Sequence, residues 1–444
     1  MNFLGLDIGT TSISCSVIDE AGVRLFSKAV GNTCHIKSEN LWEKLQDCGG
    51  ILALCRSLIA EAENSCGSLS AIGIDGQMHG IVYVSDGGHA VSPLISWQDE
   101  RGNLDCGGKT YCALAREITG ENLPTGYGLM TVFCDTLRGT IPEGACKICT
   151  IGDYIAMSLC GGSEPYIHPS NAASLGLFNK KALKFNIKGI ESLGIDRGLI
   201  PEVRGECIIG ETPAGVPVCI AVGDNQASVL GSLGSERGVL INMGTGSQIS
   251  IITDKCDDIS GLELRPYIGG KYLINGSALC GGAAYKSLER FFAAVLEMFG
   301  HTPPDGMMKI MDAAAEKSGG RGITADTRLR GTRDNPKLRG GIFGISDDNF
   351  TPAAVSYAFM AGMCRELYDF YELCPQDERH QFFAASGNGV RCSAVCRRIL
   401  EDTFGCTVNI PMYSEEASYG AAILAMRESV NISRSDIQKM IKYI

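Results

Sequence analysis

The first residues that could do chemistry stand near the start of the chain, in LGLDIGTTSISCSVID (4–19). Apolar residues before Asp7 and again over 13–18 predict two strands, and the small residues between them are typical of a hairpin turn. Such a turn points N–H and hydroxyl groups at one spot, which suits a phosphate, and the nearby carboxylate suits the Mg²⁺ that accompanies a nucleotide. An ordinary hairpin with a hydrogen-bonded Asp7 is the alternative. The turn residues are Gly9, Thr10, Thr11 and Ser12.

Two later stretches combine hydrogen-bonding side chains with apolar or aromatic neighbours. GIDGQMHGIVYV places polar side chains and a methionine at the end of an apolar run, which is the variety that a polyhydroxylated ligand needs. LISWQDERG contains one of only two tryptophans, and a sugar face can stack on an indole. A strand end with solvated polar residues is the alternative for the first stretch. The candidate ligand contacts are Gln77, Met78, His79, Trp97, Asp99 and Arg101.

A further carboxylate follows a predicted strand directly, in VGDNQAS (222–228). Asp224 would sit at the cleft between the two halves of the chain and take a proton from a substrate hydroxyl. Its structural alternative is a helix N-cap, because Asp and Asn both begin helices well. The two interpretations are compatible, since Asn225 can cap the helix while Asp224 acts as the base.

Glycine pairs precede predicted helices in the second half of the chain. Residues 281–282 are Gly-Gly in LCGGAAYKSLERFF, and residues 387–389 are Gly-Asn-Gly after an apolar run in AASGNGVR. Glycines at these points permit a flat base or a phosphate to approach the backbone. Neither familiar nucleotide motif is complete. A dinucleotide fingerprint that starts at Gly387 requires glycine at position 392, where this chain has Cys392. A P-loop that ends in GGKT (107–110) requires glycine at position 103, where this chain has Asn103.

An internal repeat organises these residues. GLDIGTTSIS (5–14) is matched by LINMGTGSQIS (240–250), with the same apolar run, Gly-Thr-x-Ser turn and second apolar run. Two copies half a chain apart predict a duplicated fold of alternating strands and helices, with two phosphate loops facing each other across a cleft. Asn242 stands where the first copy has Asp7. Only the first copy would therefore bind the metal ion that accompanies the nucleotide.

The length and composition are those of a globular chain with more than one domain. The 444 residues predict two or three domains, and a boundary near GSLGSERG gives domains at 1–234 and 235–444. The net charge of −11 argues against nucleic acid and anionic membranes as partners. A run of 18 apolar residues and a signal-like start are both missing, so we expect no membrane span and a cytoplasmic protein.

The twenty cysteines are scattered through apolar runs, where cysteine behaves as a small hydrophobic residue. We expect free thiols in a reducing compartment. The C-x-x-C formed by Cys146 and Cys149 lacks the second pair that a zinc site needs, so no zinc is predicted.

Seven stretches together resemble the FGGY carbohydrate kinases of the actin-like ATPase superfamily. They are LDIGTTS, DGQMHG, SWQDERG, GDNQAS, MGTGS, LCGG and SGNGVR, in the family's order and spacing from residue 4 to about 428. GYGLMTVF (126–133), HPSNAASLGLFN (168–179), NMGTGSQIS and SGNGVR are most similar to the sedoheptulokinase branch. The resemblance implies an α/β protein with two duplicated ribonuclease-H-like domains around a catalytic cleft.

The resemblance also implies roles for residues at matching positions. Asp224 would be the catalytic base, and Asp7 would hold Mg²⁺ through water. The sugar would contact Gln77, Met78, His79, Trp97, Asp99, Arg101 and Asn225. ATP would contact Gly9, Thr10, Thr11, Ser12, Gly244, Thr245, Gly246, Gly281, Gly282, Gly387 and Asn388.

The implied activity is transfer of the γ-phosphate of ATP to the terminal primary hydroxyl of a ketose. Sedoheptulose, giving sedoheptulose 7-phosphate, fits the branch resemblance best, and a pentulose such as xylulose or ribulose is the alternative. A second class of function is a non-catalytic sensor that binds a sugar or a nucleotide. The presence of both Asp7 and Asp224 argues against it. An actin-like filament or chaperone ATPase is a third, in which QMHG and WQDER have no role. The expected ligands are ATP, Mg²⁺ and a small ketose, and a homodimer is compatible with the resemblance.

Overall fold

The apolar run around Asp7 forms the central strand of a sheet in the computed structural model. The structure describes residues 1–235, 237–332, 335, 337–430 and 432–444. The chain divides into two units. The first comprises Met1–Gly234, Arg265–Gly270 and Glu415–Ile441, and the second comprises Ser235–Leu264, Lys271–Ser414 and Lys442–Ile444.

The first 234 residues alternate strands and helices. The strands are β1 (Phe3–Ile8), β2 (Ser12–Ile18), β3 (Arg24–Gly31), β4 (His35–Ile36), β5 (Leu45–Gln46), β6 (Ala71–Gly76), β7 (Val82–Val84), β8 (Leu94–Ile95), β9 (Lys147–Cys149), β10 (Tyr166–Ile167), β11 (Phe178–Asn179), β12 (Lys184–Phe185), β13 (Glu202–Val203), β14 (Ile208–Glu211), β15 (Pro217–Cys219) and β16 (Val222–Gly223). The helices are α1 (Cys48–Cys66), α2 (Tyr111–Thr119), α3 (Gly128–Arg138), α4 (Ile151–Leu159), α5 (Pro169–Leu175), α6 (Ile187–Ser192) and α7 (Asp224–Ser232).

The remainder of the chain repeats this alternation. Its strands are β17 (Val239–Met243), β18 (Ser247–Thr253), β19 (Glu263–Pro266), β20 (Tyr272–Ala278), β21 (Thr324–Asp326), β22 (Gly341–Phe343), β23 (Phe383–Ser386) and β24 (Val408–Asn409). Its helices are α8 (Gly281–Met298), α9 (Met307–Ser318), α10 (Pro352–Leu373), α11 (Asn388–Cys392), α12 (Ala394–Phe404), α13 (Glu416–Val430) and α14 (Arg434–Met440). Thr351 caps α10 by accepting the N–H of Ala354, with Pro352 in the first turn.

The two units contain the same five-stranded arrangement, which confirms the duplication that the sequence repeat predicted. In the first unit the order β3-β2-β1-β6-β15 has antiparallel pairs up to β1 and parallel pairs beyond it. In the second unit β20-β18-β17-β23-β24 has the same order and the same directions. The central strands β1 and β17 are buried on both faces apart from Asp7 and Asn242, which are each only partly buried. Each central strand thus carries one polar side chain near its C-terminal end.

Helix α13 belongs to the first unit although it comes from the end of the chain. A Cβ added to Gly5 of β1 would lie 1.9 Å from the carbonyl oxygen of Ser418, and one added to Gly73 of β6 would lie 2.0 Å from that of Ala421. The backbone of α13 therefore rests directly on two strands whose glycines leave room for it. Two segments of the predicted second domain, 235–444, group with the first unit in this division, namely Arg265–Gly270 and Glu415–Ile441.

The described part of the chain contains no helix that is long and apolar enough to cross a membrane. Helix α14 buries Ile437 and Met440, while Ile444 lies beyond the helix and is 72% exposed.

Candidate active site

The first turn consists of residues 9–11 between β1 and β2, because Ser12 is already the first residue of β2. Asn32 fixes the turn: its Nδ2 donates to the carbonyl oxygen of Gly9 (3.1 Å), and its backbone N–H donates to that of Thr11 (2.9 Å). A Cβ at Gly9 would lie 2.8 Å from the carbonyl oxygen of Ser12, so the turn requires glycine there. Thr11 is exposed at its tip.

A closed set of hydrogen bonds connects this turn to the predicted sugar-contacting stretches. Trp97 Nε1 donates to Thr10 Oγ1 (2.9 Å), and Thr10 Oγ1 donates to Gln77 Oε1 (3.3 Å). Gln77 Nε2 donates to Gln46 Oε1 (2.9 Å), and Gln46 Nε2 returns to the carbonyl oxygen of Thr10 (3.0 Å). Trp97 nevertheless keeps 46% of its surface exposed. The indole is therefore held in place with a face available to a ligand.

His79 has a left-handed backbone conformation, with φ of 73°, which is uncommon for a residue other than glycine and recurs at functional sites. Its N–H donates to Ser174 Oγ (3.0 Å), its Nδ1 donates to the carbonyl oxygen of Ser174 (2.8 Å), and its ring stacks on Tyr127 with centroids 4.5 Å apart. Met78 is buried, and a Cβ at Gly223 would lie 2.7 Å from its Sδ. This places Met78 against the residue before Asp224.

Asp99 and Arg101 form a buried ion pair. Arg101 Nε donates to Asp99 Oδ1 (2.8 Å), and Arg101 Nη1 donates to Asp135 Oδ1 (2.7 Å) in α3. Asp99 is 0% exposed and Arg101 5%. This geometry disagrees with the expectation that both side chains face a sugar, because a buried pair of this kind is costly to open. The pair fixes the segment that carries Trp97 onto α3.

Asp224 is the first residue of α7, and Gly223 is the N-cap. The prediction of a capping role for Asp224 or Asn225 is wrong, because neither side chain makes the N-cap hydrogen bond. Asp224 Oδ1 instead accepts the N–H of Asn225 (2.7 Å), while Asn225 Oδ1 accepts from Arg265 Nη1 (3.4 Å). The N–H of Gly223 donates to Ser170 Oγ (3.1 Å), so α5 holds the strand end that presents Asp224.

Three carboxyl groups meet in the first unit. Asp7 and Asp75 are directly paired in the parallel register of β1 and β6, and their side chains are within hydrogen-bonding reach. Burial, followed by the charge of Asp224, raises the pKa of Asp7 from 3.8 to about 7. Burial, followed by Asp7 and Asp224, raises the pKa of Asp75 well above its usual value, and burial raises that of Asp224. Between pH 3.8 and about 7 the folded state holds more protons here than the unfolded chain, so the free energy of unfolding falls as pH rises through that window.

The second turn, residues 244–246 between β17 and β18, has the same length as the first. Its carbonyl oxygens accept hydrogen bonds from the first turn of α8. The N–H of Gly282 donates to the carbonyl oxygen of Gly244 (3.0 Å), and the N–H of Ala283 donates to that of Thr245 (2.9 Å). Thr245 and Gly246 are exposed. Loop and helix are thereby fixed to one another.

The glycine pairs, which we expected to let a ligand approach the backbone, instead let protein backbone segments pack closely on one another. A Cβ at Gly281 would lie 2.5 Å from the backbone N of Ser247, and one at Gly282 would lie 2.6 Å from the carbonyl oxygen of Gly244. At Gly387, where φ is 87°, a Cβ would lie 2.6 Å from the carbonyl oxygen of Met243. These glycines let their segments pack on the second turn and on the end of β17.

A cavity of about 700 Å³ opens beside the second turn, within the second unit. Gly244, Thr245, Gly282 and Asn388, all predicted to contact ATP, line it together with helices α8, α9 and α10. Its lining is mainly apolar and includes four basic side chains (Lys286, Arg290, Lys309 and Arg330) and two acidic ones (Glu289 and Asp312). The volume is in the range of small-molecule sites.

Several residues of this site were not in the predicted set. Asp75 was visible in its motif as a polar residue after an apolar strand, but its pairing with Asp7 depends on which strands are neighbours. Tyr127 lies in the GYG segment (126–128), which the resemblance singled out without giving it a role. Gln46, in the two-residue strand β5, carried no signal that sequence reasoning could use.

The duplicated sheet, with a short Gly-Thr turn after the central strand of each copy, is the fold of the two-domain actin-like ATPases. Residues 2–231 match the N-terminal domain of the FGGY family of carbohydrate kinases, and residues 239–429 match its C-terminal domain. The chain belongs to this family, and it is therefore a sugar kinase, an ATP-dependent phosphotransferase.

Individual relatives agree with this assignment at low identity. The sedoheptulokinase of Homo sapiens is 25% identical over 97% of this chain and 98% of its own length, and a glycerol kinase of Bradyrhizobium diazoefficiens is 24% identical over 95% and 89%. Among solved structures, the xylulose kinase of Lactobacillus acidophilus superimposes with a TM-score of 0.85 at 18% identity, covering 100% of this chain and 92% of its own. Plasmodium falciparum glycerol kinase with ADP gives 0.82 at 18%, covering 98% and 91%.

Proposed function

We propose that this chain phosphorylates the terminal primary hydroxyl of a ketose, with sedoheptulose as the preferred substrate and sedoheptulose 7-phosphate as the product. The observation that carries the reaction type is Asp224, a carboxylate at the start of α7 beside Met78, whose segment also holds His79. The preference for a seven-carbon ketose is supported by similarity to sedoheptulokinases across nearly the whole chain.

Two of the four segments most similar to the sedoheptulokinase branch position residues of the proposed sugar site. Segment 168–179 supplies Ser170, which holds the strand end before Asp224, and Ser174, which holds His79. Segment 126–133 supplies Tyr127, which stacks on His79. A sugar seated against Trp97, His79 and Met78 would thus contact one side chain, His79, that both of these segments fix in place.

In this mechanism Asp224 accepts the proton of the sugar hydroxyl as the oxygen attacks the γ-phosphorus in line. Within each unit, the N–H groups of the turn, with the hydroxyl of Thr11 in the first and of Thr245 in the second, are the groups that we assign to phosphate oxygens and to stabilisation of the developing charge. The adenosine part of ATP occupies the cavity that Gly282 and Asn388 line. Positioning and charge stabilisation supply the catalysis, because phosphoryl transfer needs no covalent intermediate on the protein.

The donor set of the first unit fits Mg²⁺. Asp7 offers a hard oxygen ligand, and the oxygens of Asp75 beside it are buried without a hydrogen-bond donor, so the position favours a cation. Mg²⁺, when bound, neutralises phosphate oxygens and holds them in a reactive orientation. We assign Asp7 to this ion through a water molecule.

A panel of acceptors tests the proposal. Purified protein with Mg-ATP is expected to release ADP with sedoheptulose, and kcat/KM for sedoheptulose should exceed that for xylulose, ribulose and glycerol by at least about tenfold. The ratio of the kcat/KM values decides the question, because specificity is measured by how these values compare between competing substrates. A tenfold preference for a pentulose would establish the alternative pentulose kinase, and no sugar-stimulated turnover with any acceptor would reject the ketose kinase altogether.

The two tryptophans provide a binding test for the sugar site. Trp97→Phe removes the Nε1 donor to Thr10 and a large exposed ring, so KM for the sugar should rise about tenfold, the equivalent of ~1.4 kcal/mol. Sugar should change the intrinsic fluorescence of wild type and of the control Trp42→Phe, but not of Trp97→Phe. Trp42 is the matched control because its ring packs against Arg101 and Arg138. A sugar response that persists in Trp97→Phe and vanishes in Trp42→Phe would contradict the assignment.

A further inference from the structure

Asp75 is a fully buried carboxyl group without a hydrogen-bond donor. It lies near the end of β6, its relative exposure is 0%, and neither oxygen accepts a hydrogen bond from an N–H or hydroxyl group of the described residues. Its directly paired neighbour across the strands is Asp7, which is itself an acceptor unless one of the two is protonated. A buried carboxyl in this state is costly and requires a partner.

The duplicated fold contains its own comparison for this position. In the second unit Asn242 occupies the register of Asp7, and Ser386 occupies that of Asp75. Asn242 Nδ2 donates to Ser386 Oγ (3.0 Å), so this neutral pair satisfies itself. The same arrangement of strands therefore forms without acids, and the two carboxyls of the first unit are not needed to build it.

The charges around Asp75 exclude an internal cation as its partner. The groups that act electrostatically on Asp75 are Asp7 and Asp224, both acidic. Among the residues that the structure describes, no group of three or more His, Cys, Asp or Glu side chains is arranged to hold a metal by itself. A divalent cation here must therefore bring ligands of its own, as Mg²⁺ does when it enters with nucleotide phosphates and one or two protein carboxylates.

We propose that Asp75 is a second carboxylate for the divalent cation of the metal–nucleotide complex, acting together with Asp7. This inference rests on the proposed kinase reaction and deepens it, because it assigns the cation two adjacent carboxylates of the first unit instead of one. Asp75 reaches the cation directly or through one water, and Asp224 remains the base. The competing description is a permanently protonated Asp75 that donates to Asp7, so that the two acids satisfy each other as Asn242 and Ser386 do in the second unit.

The test measures metal binding without turnover. The protein is saturated with ADP, and free Mn²⁺ is followed by electron paramagnetic resonance. Asp75→Ser, which installs the residue of the second copy, and Asp75→Asn should each weaken Mn²⁺ binding to the protein–ADP complex by about 10–100-fold. Binding of ADP in the presence of EDTA should stay within about threefold of wild type, because Asp75 then has no cation to hold.

Ser386→Ala is the matched control, since it alters the equivalent position of the second unit and should leave Mn²⁺ affinity unchanged. Melting temperatures check that the variants fold, and two different replacements keep the test decisive if one of them does not. Unchanged Mn²⁺ affinity in folded Asp75→Ser or Asp75→Asn would overturn the inference while wild type still phosphorylates a ketose. A wild type that neither binds Mn²⁺ with ADP nor phosphorylates any ketose would overturn the inference together with the proposed function.

Discussion

Asp224→Asn is expected to lower kcat by about 10²–10⁴-fold while the protein stays folded and binds sugar. Asparagine keeps the oxygen that accepts the N–H of Asn225, so the start of α7 is preserved. Gly223, not Asp224, is the N-cap, which removes the reason to expect a large loss of stability. What the amide cannot do is accept the proton of the attacking hydroxyl. The measurement is kcat beside the melting temperature and the sugar dissociation constant of the same variant.

Asp196→Asn is the matched control, because Asp196 caps a single helical turn in the same unit and the replacement keeps that cap. Its kcat should equal that of wild type. If Asp224→Asn retains turnover within about threefold of wild type, Asp224 is not the base. If sugar binding is lost in parallel with turnover, its role is in ground-state binding.

The pH profile gives a second measure of Asp224. A general base acts only when deprotonated, so kcat/KM of the wild type should rise with pH through the pKa of this carboxyl. Burial raises that pKa above 3.8, and the guanidinium of Arg265 opposes the shift. The contribution of Asp224 to this limb should be missing in Asp224→Asn, whereas the contribution of Asp7, whose pKa is raised to about 7, should remain. Rate measurements across the acidic range decide this.

The parts of the site that the sequence predicted are those in which chemistry and local geometry coincide. A polar residue near the end of an apolar strand, followed by a short turn, is a local pattern, and it located Asp7 with the first turn and residues 244–246 as the second. Asp224 was located by a related local pattern, a carboxylate directly after an apolar strand, and it begins helix α7 after β16. The repeat of this pattern also predicted the duplication, because two similar strand–turn–strand units fold alike.

The parts that were missed depend on contacts between distant segments. Asp99 and Arg101 were taken for ligand contacts because nothing local shows that Asp135, on a separate helix, binds Arg101. The transfer of α13 to the first unit rests on close backbone approach, as between Gly420 and the carbonyl oxygen of Ala227, where a Cβ would lie at 2.0 Å. Glycine content in a helix gives no sign of which partner it accommodates.

The expected consequence of Asp7→Asn is the loss of metal-dependent catalysis in a protein that still folds. The variant places an amide where the second unit has Asn242, whose Nδ2 donates to the paired residue on the neighbouring strand. In the first unit that amide would face Asp75, which lacks a donor, so the melting temperature should not fall. The two adjacent acids are replaced by a donor and an acceptor, which also removes one buried negative charge.

Turnover should nevertheless fall by at least about a hundredfold, because a correctly held metal contributes several kcal/mol of charge stabilisation at the phosphate. The Mg²⁺ concentration for half-maximal rate should rise about tenfold or more, while ADP binding in EDTA stays near the wild-type value. Asp47→Asn is the control: Asp47 is an exposed N-cap of α1 that accepts from Gly49, a role asparagine keeps. If Asp7→Asn shows the Mg²⁺ titration and the rate of wild type, Asp7 does not bind the metal ion. If the rate is lost while the Mg²⁺ titration is unchanged, Asp7 acts on the phosphate and not on the metal ion.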